Sequence, residues 1–76
     1  MGKWTPCKRK DFIRKLRRLG FESPEPGGNH LYMRYGTYTF TLPNNSEYSV
    51  QQVRTLRREV ELGTRKRISL EEWKGL

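Results

Sequence analysis

Apolar residues return along this chain in two different rhythms. Between Lys8 and Leu19, the residues Phe12, Ile13, Leu16 and Leu19 recur at intervals of three and four, which is one face of a helix. Lys10, Arg14, Lys15, Arg17 and Arg18 cover the remainder of that helix. Gly20 stops it, and Phe21 follows where an apolar residue commonly folds back onto the last turn. Between Leu31 and Leu42 the rhythm becomes two. Leu31 and Met33 alternate with Tyr32 and Arg34; Tyr38, Phe40 and Leu42 alternate with Thr37, Thr39 and Thr41. This predicts a hairpin with Tyr35-Gly36 as its two-residue turn. Arg34 then faces Thr37, Met33 faces Tyr38, Tyr32 faces Thr39, Leu31 faces Phe40 and His30 faces Thr41. Because side chains alternate between faces, Leu31, Met33, Tyr38, Phe40 and Leu42 share an apolar face. His30, Tyr32, Arg34, Thr37, Thr39 and Thr41 share a polar one. A register shift of two keeps these faces and a shift of one scrambles them.

The remaining segments have weaker patterns. Phe21-Glu22-Ser23 fits a short edge strand, ended by Pro24 and Pro26, which cannot donate to a ladder. Pro26-Gly27-Gly28 is turn chemistry, and so is Pro43-Asn44-Asn45-Ser46. Ser49 followed by Gln52 is a capping-box pattern. It opens a second helix over about Val50 to Leu62, with Val50, Val53, Leu56 and Val60 inward, Arg54 and Arg58 outward, and Arg57 snorkelling from the apolar stripe. Gly63 stops this helix, and Thr64 to Arg67 is a basic linker. Ser69 and Glu72 repeat the capping pattern before a short closing helix that carries Leu70 and Trp73. The order predicts one α+β domain over residues 1–76: a two-layer α-β-β-β-α arrangement with a short C-terminal helix. Met1 to Pro6 is a flexible lead-in, with Trp4 packing onto the body.

Composition narrows the partners. The 76 residues include 16 Lys and Arg against 8 Asp and Glu, a formal charge of +8. An excess of this kind in a small domain favours a polyanion: nucleic acid, an anionic membrane surface or an acidic protein. Basic residues interleaved with aromatics on regular elements put nucleic acid first. Disorder is excluded, since aromatics are 12% of the chain and fall into periodic patterns. One cysteine, Cys7, allows no internal disulfide and fits a reducing cytoplasm. It reads as an inert thiol, with no neighbouring cysteine or histidine to make a metal site. No apolar run approaches a bilayer span, and the N-terminus has no secretory h-region.

The candidate chemistry centres on Pro26-Gly27-Gly28-Asn29-His30. His30 is the only histidine, and it sits where a glycine-bent backbone runs into a strand. Imidazole is the side chain whose ordinary pKa, about 6.5, suits it to proton transfer near neutrality. The hairpin pattern puts Tyr32 and Arg34 in the same row.

These stretches resemble a known family. Lys8-Arg9-Lys10-Asp11-Phe12-Ile13-Arg14-Lys15-Leu16, then Leu19-Gly20-Phe21, then Pro26-Gly27-Gly28-Asn29-His30 are similar to the HicA (YcfA-like) toxins, the ribonuclease halves of type II toxin–antitoxin pairs. Ile68-Ser69-Leu70-Glu71-Glu72-Trp73 resembles that family's closing motif. The resemblance implies a fold like the double-stranded-RNA-binding domain and metal-independent, cofactor-free cleavage of messenger RNA in the cytoplasm. His30 matches the catalytic histidine and Gly28 the glycine ahead of it. It also implies a HicB-type antitoxin as partner, with no membrane role; a homodimer and a toxin–antitoxin hetero-oligomer both stay open. The chain departs from the pattern at Asn44 and Asn45, where many members carry a second histidine, and in its longer, more basic linker.

Such cleavage needs a base for the ribose 2′-OH, an acid for the leaving 5′ oxygen and positive charge for the phosphorane. His30 can supply one proton transfer in a step, not both. Arg34 can hold the phosphate by paired N–H bonds, Tyr32 can orient the ribose or act as a weak acid, and the Gly27 and Gly28 amides can cradle phosphate oxygens. Lys10, Arg14 and Arg17 offer charge to the RNA backbone. A non-catalytic RNA-binding module, an inactivated toxin and a ligand for an acidic protein are the competing readings.

Overall fold

The computed structural model describes residues 3–76. Met1 and Gly2, the start of the expected lead-in, lie outside the described residues. The elements in chain order are β1 (Cys7–Lys8), α1 (Arg9–Leu19), β2 (Glu25–Gly27), β3 (His30–Tyr35), β4 (Tyr38–Leu42), β5 (Glu47–Tyr48), α2 (Val50–Thr64) and α3 (Leu70–Gly75). β2, β3 and β4 form an antiparallel sheet in that order, and β1 pairs antiparallel with β5 as a separate two-stranded ribbon. The chain is therefore a small α+β domain, with one strand pair more than the expected α-β-β-β-α order.

The helix α1 forms where the apolar period placed it, one residue later at its start because Lys8 belongs to β1. Its N-terminus has no side-chain cap; instead the Arg9 N–H donates to the Ser46 carbonyl at 2.9 Å. Gly20, at φ 113°, takes the left-handed conformation that ends the helix, and the Phe21 N–H returns to the Leu16 carbonyl at 3.0 Å. This turns Phe21 back into the core.

Both hairpins are set by glycine. Gly36, at φ 59°, is the first of two loop residues, Gly36 and Thr37. That position and sign are what a type II′ turn asks of its glycine. The turn therefore lies one residue later than Tyr35-Gly36, and the register shifts by two: Tyr35 pairs with Tyr38, Arg34 with Thr39, Met33 with Phe40, Tyr32 with Thr41 and Leu31 with Leu42. None of the expected pairings survives, yet the two faces do. Tyr35 joins the apolar face, with its ring 5.2 Å from that of Phe21. Gly28, at φ 64°, plays the same part in the first hairpin, where Gly27 pairs with His30 across Gly28 and Asn29.

The edge strand is Glu25–Gly27 rather than Phe21 to Ser23. Proline is accommodated because β2 lies at the sheet edge, where Pro26 can turn its nitrogen away from the ladder. The Phe21–Ser23 segment keeps one bond to β3, from the Glu22 N–H to the Arg34 carbonyl at 2.8 Å.

The two longer helices cover one face of the sheet. Phe12 and Leu16 of α1, Val53, Leu56 and Val60 of α2, and Met33, Phe40 and Leu42 of the sheet are all buried in one cluster. Tyr48 and Trp73 complete it. Burial pushes the Tyr48 hydroxyl up to about 12, and it donates to the Pro43 carbonyl at 2.8 Å. Cys7 is buried, which raises its pKa and keeps it a thiol.

The Ser49–Gln52 capping box forms in full, and the Ser69 hydroxyl accepts from the Glu72 N–H. Gly63 does not stop α2. The helix continues to Thr64, and Arg65, at φ 59°, closes it. Glycine is needed at 63 for another reason: the Tyr38 ring lies where a Cβ would sit. Arg57 stays down rather than snorkelling fully. Its Nη1 lies 2.7 Å from Glu61 and donates to the Ile68 carbonyl at 3.1 Å, while the Trp4 ring covers the guanidinium at 4.7 Å. Glu61 in turn accepts the Ile68 N–H at 2.7 Å and so ties the linker to α2.

That N–H, with help from the Arg57 charge, holds the Glu61 carboxyl below its usual range. A carboxyl whose pKa falls on folding adds stability above its unfolded pKa and loses it as pH drops through the folded one. Glu61→Gln is expected to cost about 1–2 kcal/mol at pH 7 in urea denaturation. The difference from wild type should shrink on acidification through the carboxylate range; a difference that does not change with pH would contradict this account.

Candidate functional site

The sheet face turned away from the helices is polar and open. Residues paired across an antiparallel ladder share a face, so the registers put Glu25 and Gly27 of β2, His30, Tyr32 and Arg34 of β3, and Thr39 and Thr41 of β4 together. His30, Arg34, Thr39, Thr41 and Glu25 are exposed and Tyr32 is half-buried. The expected row of His30, Tyr32 and Arg34 is therefore present. The partner of His30 is Gly27, not Thr41, because Thr41 stands opposite Tyr32.

Tyr32 and Arg34 are each held by an identifiable contact, and His30 is placed by the backbone. His30 opens β3 directly after the Gly28-Asn29 turn. The Tyr32 ring leans across to β2 and rests on Gly27, where any Cβ would overlap it. The Nε of Arg34 lies 3.2 Å from an oxygen of Glu25, an exposed ion pair between neighbouring strands. Glu25, Gly27, Tyr32, Arg34 and Thr39 line one shallow hollow on this face.

The expected cations divide into two groups. Arg17 comes to the edge of the face: it bonds to the Ser23 hydroxyl and lines a second hollow with Glu22, Glu25 and Arg34. Lys10 and Arg14 do not join it. They line a separate hollow beside Trp73 and Lys74 of α3, and Arg14 is paired with Asp11 at 3.0 Å. Lys15 lines the same hollow but turns towards α3. Its ammonium donates to the Trp73 carbonyl at 2.6 Å and lies over the Trp73 ring, with its pKa lowered chiefly by burial.

Glu25 is the residue of this face that the periodicity did not single out. Flanked by Pro24 and Pro26, it looked like part of a chain break. The signal that reveals it is Gly28-Asn29, a two-residue hairpin pattern that counts back to Glu25 opposite Tyr32. Among the described residues no group of three or more His, Cys, Asp or Glu could hold a metal ion, and no helix is long and apolar enough to cross a membrane.

Comparison with protein-family models, curated proteins and solved structures finds no match.

The geometry makes a specific demand of Gly27. Gly27→Ala is expected to leave the helical circular-dichroism signal unchanged while displacing the Tyr32 ring, read as shifted Tyr32 and His30 resonances in NMR spectra. Unshifted resonances would mean that the ring does not rest on Gly27.

Proposed function

We propose that this chain is a metal-independent endoribonuclease, the toxin half of a HicA-type toxin–antitoxin pair acting in the cytoplasm. The observation that carries the reading is the solvent-open sheet face on which an imidazole, a phenol and a guanidinium stand in one row. The one-sided packing of both longer helices against a three-stranded antiparallel sheet supports the finer comparison with the double-stranded-RNA-binding domain. Domains of that kind meet RNA through shape, phosphates and 2′-OH groups rather than base edges.

In this reading the 2′-oxygen attacks the adjacent phosphorus, and His30 carries one of the two protons that move. Arg34 leaves Glu25 in part to bind the phosphoryl oxygens. Its charge is worth most as negative charge builds on the phosphorane. Tyr32 supports the ribose or a base, and the turn amides at Gly27 and Gly28 meet phosphate oxygens. Arg17 extends the anion track from the face towards α1. A HicB-type antitoxin inhibits by covering this same face.

The test is induced expression of wild type and His30→Ala in a bacterial host lacking an antitoxin, with growth and reporter messenger RNA followed together. Wild type is expected to arrest growth and deplete the message, and His30→Ala, accumulating to the same level, to do neither. Purified His30→Ala should retain RNA affinity that falls steeply with salt. Equal toxicity of both proteins would overturn the role of His30, and intact message under wild type would point to a binding module.

A further inference from the structure

We infer that Glu25 is the second proton-transfer group of the sheet face, the general base that works opposite His30. The inference rests on the ribonuclease reading above and deepens it. Cleavage through the 2′-OH requires a base on one side of phosphorus and an acid on the other, and the chain has one histidine. The rest of the face offers few substitutes. Arginine does not lose its proton, and threonine hydroxyls are not bases at neutral pH. Phenols hold their proton there as well. Glu25 is the one carboxylate that the strand registers place on this face.

The ladder puts it at a workable distance. Glu25 pairs with Tyr32, and His30 lies two residues before Tyr32 on the same strand. Glu25 and His30 are thus diagonal neighbours on adjacent strands, a relation that separates side chains by about 7–8 Å. In an in-line displacement the attacking and leaving oxygens sit on opposite sides of phosphorus. A base and an acid that each reach about 2.6–3.2 Å to their oxygen need a separation of this order. The other diagonal of the same square is Tyr32 and Gly27. The Tyr32 ring lies on Gly27 and so floors the gap between the two groups.

Glu25 is also held in place. One of its oxygens lies 3.2 Å from the Arg34 Nε across the strand pair. That carboxylate therefore stands beside the cation that the ribonuclease reading gives to the phosphate, and it is released for proton transfer as Arg34 turns to the phosphoryl oxygens. The titratable and charged groups around Glu25 are Arg34 and Tyr32 on β3, Arg17 of α1 and Glu22 across the neighbouring hollow, and His30 at the diagonal ladder position. In the step itself, the proton of the 2′-OH passes to Glu25 as the O2′–P bond forms. The P–O5′ bond breaks, and the His30 imidazolium gives its proton to O5′. The products are a 2′,3′-cyclic phosphate and a 5′-OH.

The test is the pH dependence of kcat on a short oligoribonucleotide for the purified wild type, Glu25→Gln, Glu22→Gln and His30→Ala. Wild type is expected to give a bell-shaped profile. Glu25→Gln should lose about 10²-fold or more and the acid limb of the bell. Glu22→Gln, which removes a charge from the neighbouring hollow but no group from the face, should keep the wild-type rate and both limbs. If Glu25→Gln keeps both limbs and the rate while His30→Ala abolishes cleavage, Glu25 is not the base and the ribonuclease reading stands without it. If wild type leaves the oligonucleotide intact, both fall.

Discussion

Phe12 is where the layers of this domain meet. Its ring is fully buried and lies 6.1 Å from Phe40 of β4, 5.4 Å from Tyr48 of β5 and 5.0 Å from Trp73 of α3. One side chain of α1 thereby joins the main sheet, the small ribbon and the closing helix. A phenylalanine in such a place is worth about 3–5 kcal/mol relative to alanine, a large part of the stability available to a domain of 76 residues. Packing everything onto one side has a consequence for function. Because the helices and the ribbon bury the odd-numbered row of β3, the row with His30, Tyr32 and Arg34 has no duty in the core. It is free to carry chemistry.

The charge of the chain is not concentrated on that row. Arg34 is offset by Glu25, whereas Lys10, Arg17, Arg18, Arg54 and Arg58 stand exposed on the helices and Arg65 and Arg67 on the linker. On the proposed reading, attraction of a polyanion and the chemistry performed on it fall to different surfaces. Long-range attraction depends on the summed charge and weakens with salt. The proposed proton transfer would depend on a few ångströms at the open face. Arg17 is the link between them, since it belongs to α1 and reaches the hollow that contains Arg34.

The sequence made the two faces of the hairpin legible even though it misplaced the turn. A period of two survives a register shift of two, so Leu31, Met33, Phe40 and Leu42 fall inward in either register. Helix starts were legible where a side chain caps them, as at Ser49 and Ser69. The end of α1 was legible too, at Gly20, but that of α2 was not, because glycine has several uses: Gly20 closes α1, whereas Gly63 makes room for the Tyr38 ring inside α2. Strands of two residues, Cys7–Lys8 and Glu47–Tyr48, are too short to display any period. Glu25 escaped notice because proline on both sides suppressed the strand signal, although an edge strand tolerates proline. His30, Tyr32 and Arg34 could be placed on one face from alternation alone; what holds Arg34, and what lies opposite His30, required the fold.

The central claim is that this face cleaves RNA through the ribose 2′-OH. The most direct measurement gives the purified protein an oligoribonucleotide that it cuts, beside a copy with a single 2′-deoxy sugar on the 5′ side of the scissile phosphate. The account predicts that the first ends in a 2′,3′-cyclic phosphate and that the second is uncut at that position. Cleavage of the deoxy-substituted copy at the same phosphate, or no cleavage of any oligoribonucleotide tried, would contradict it.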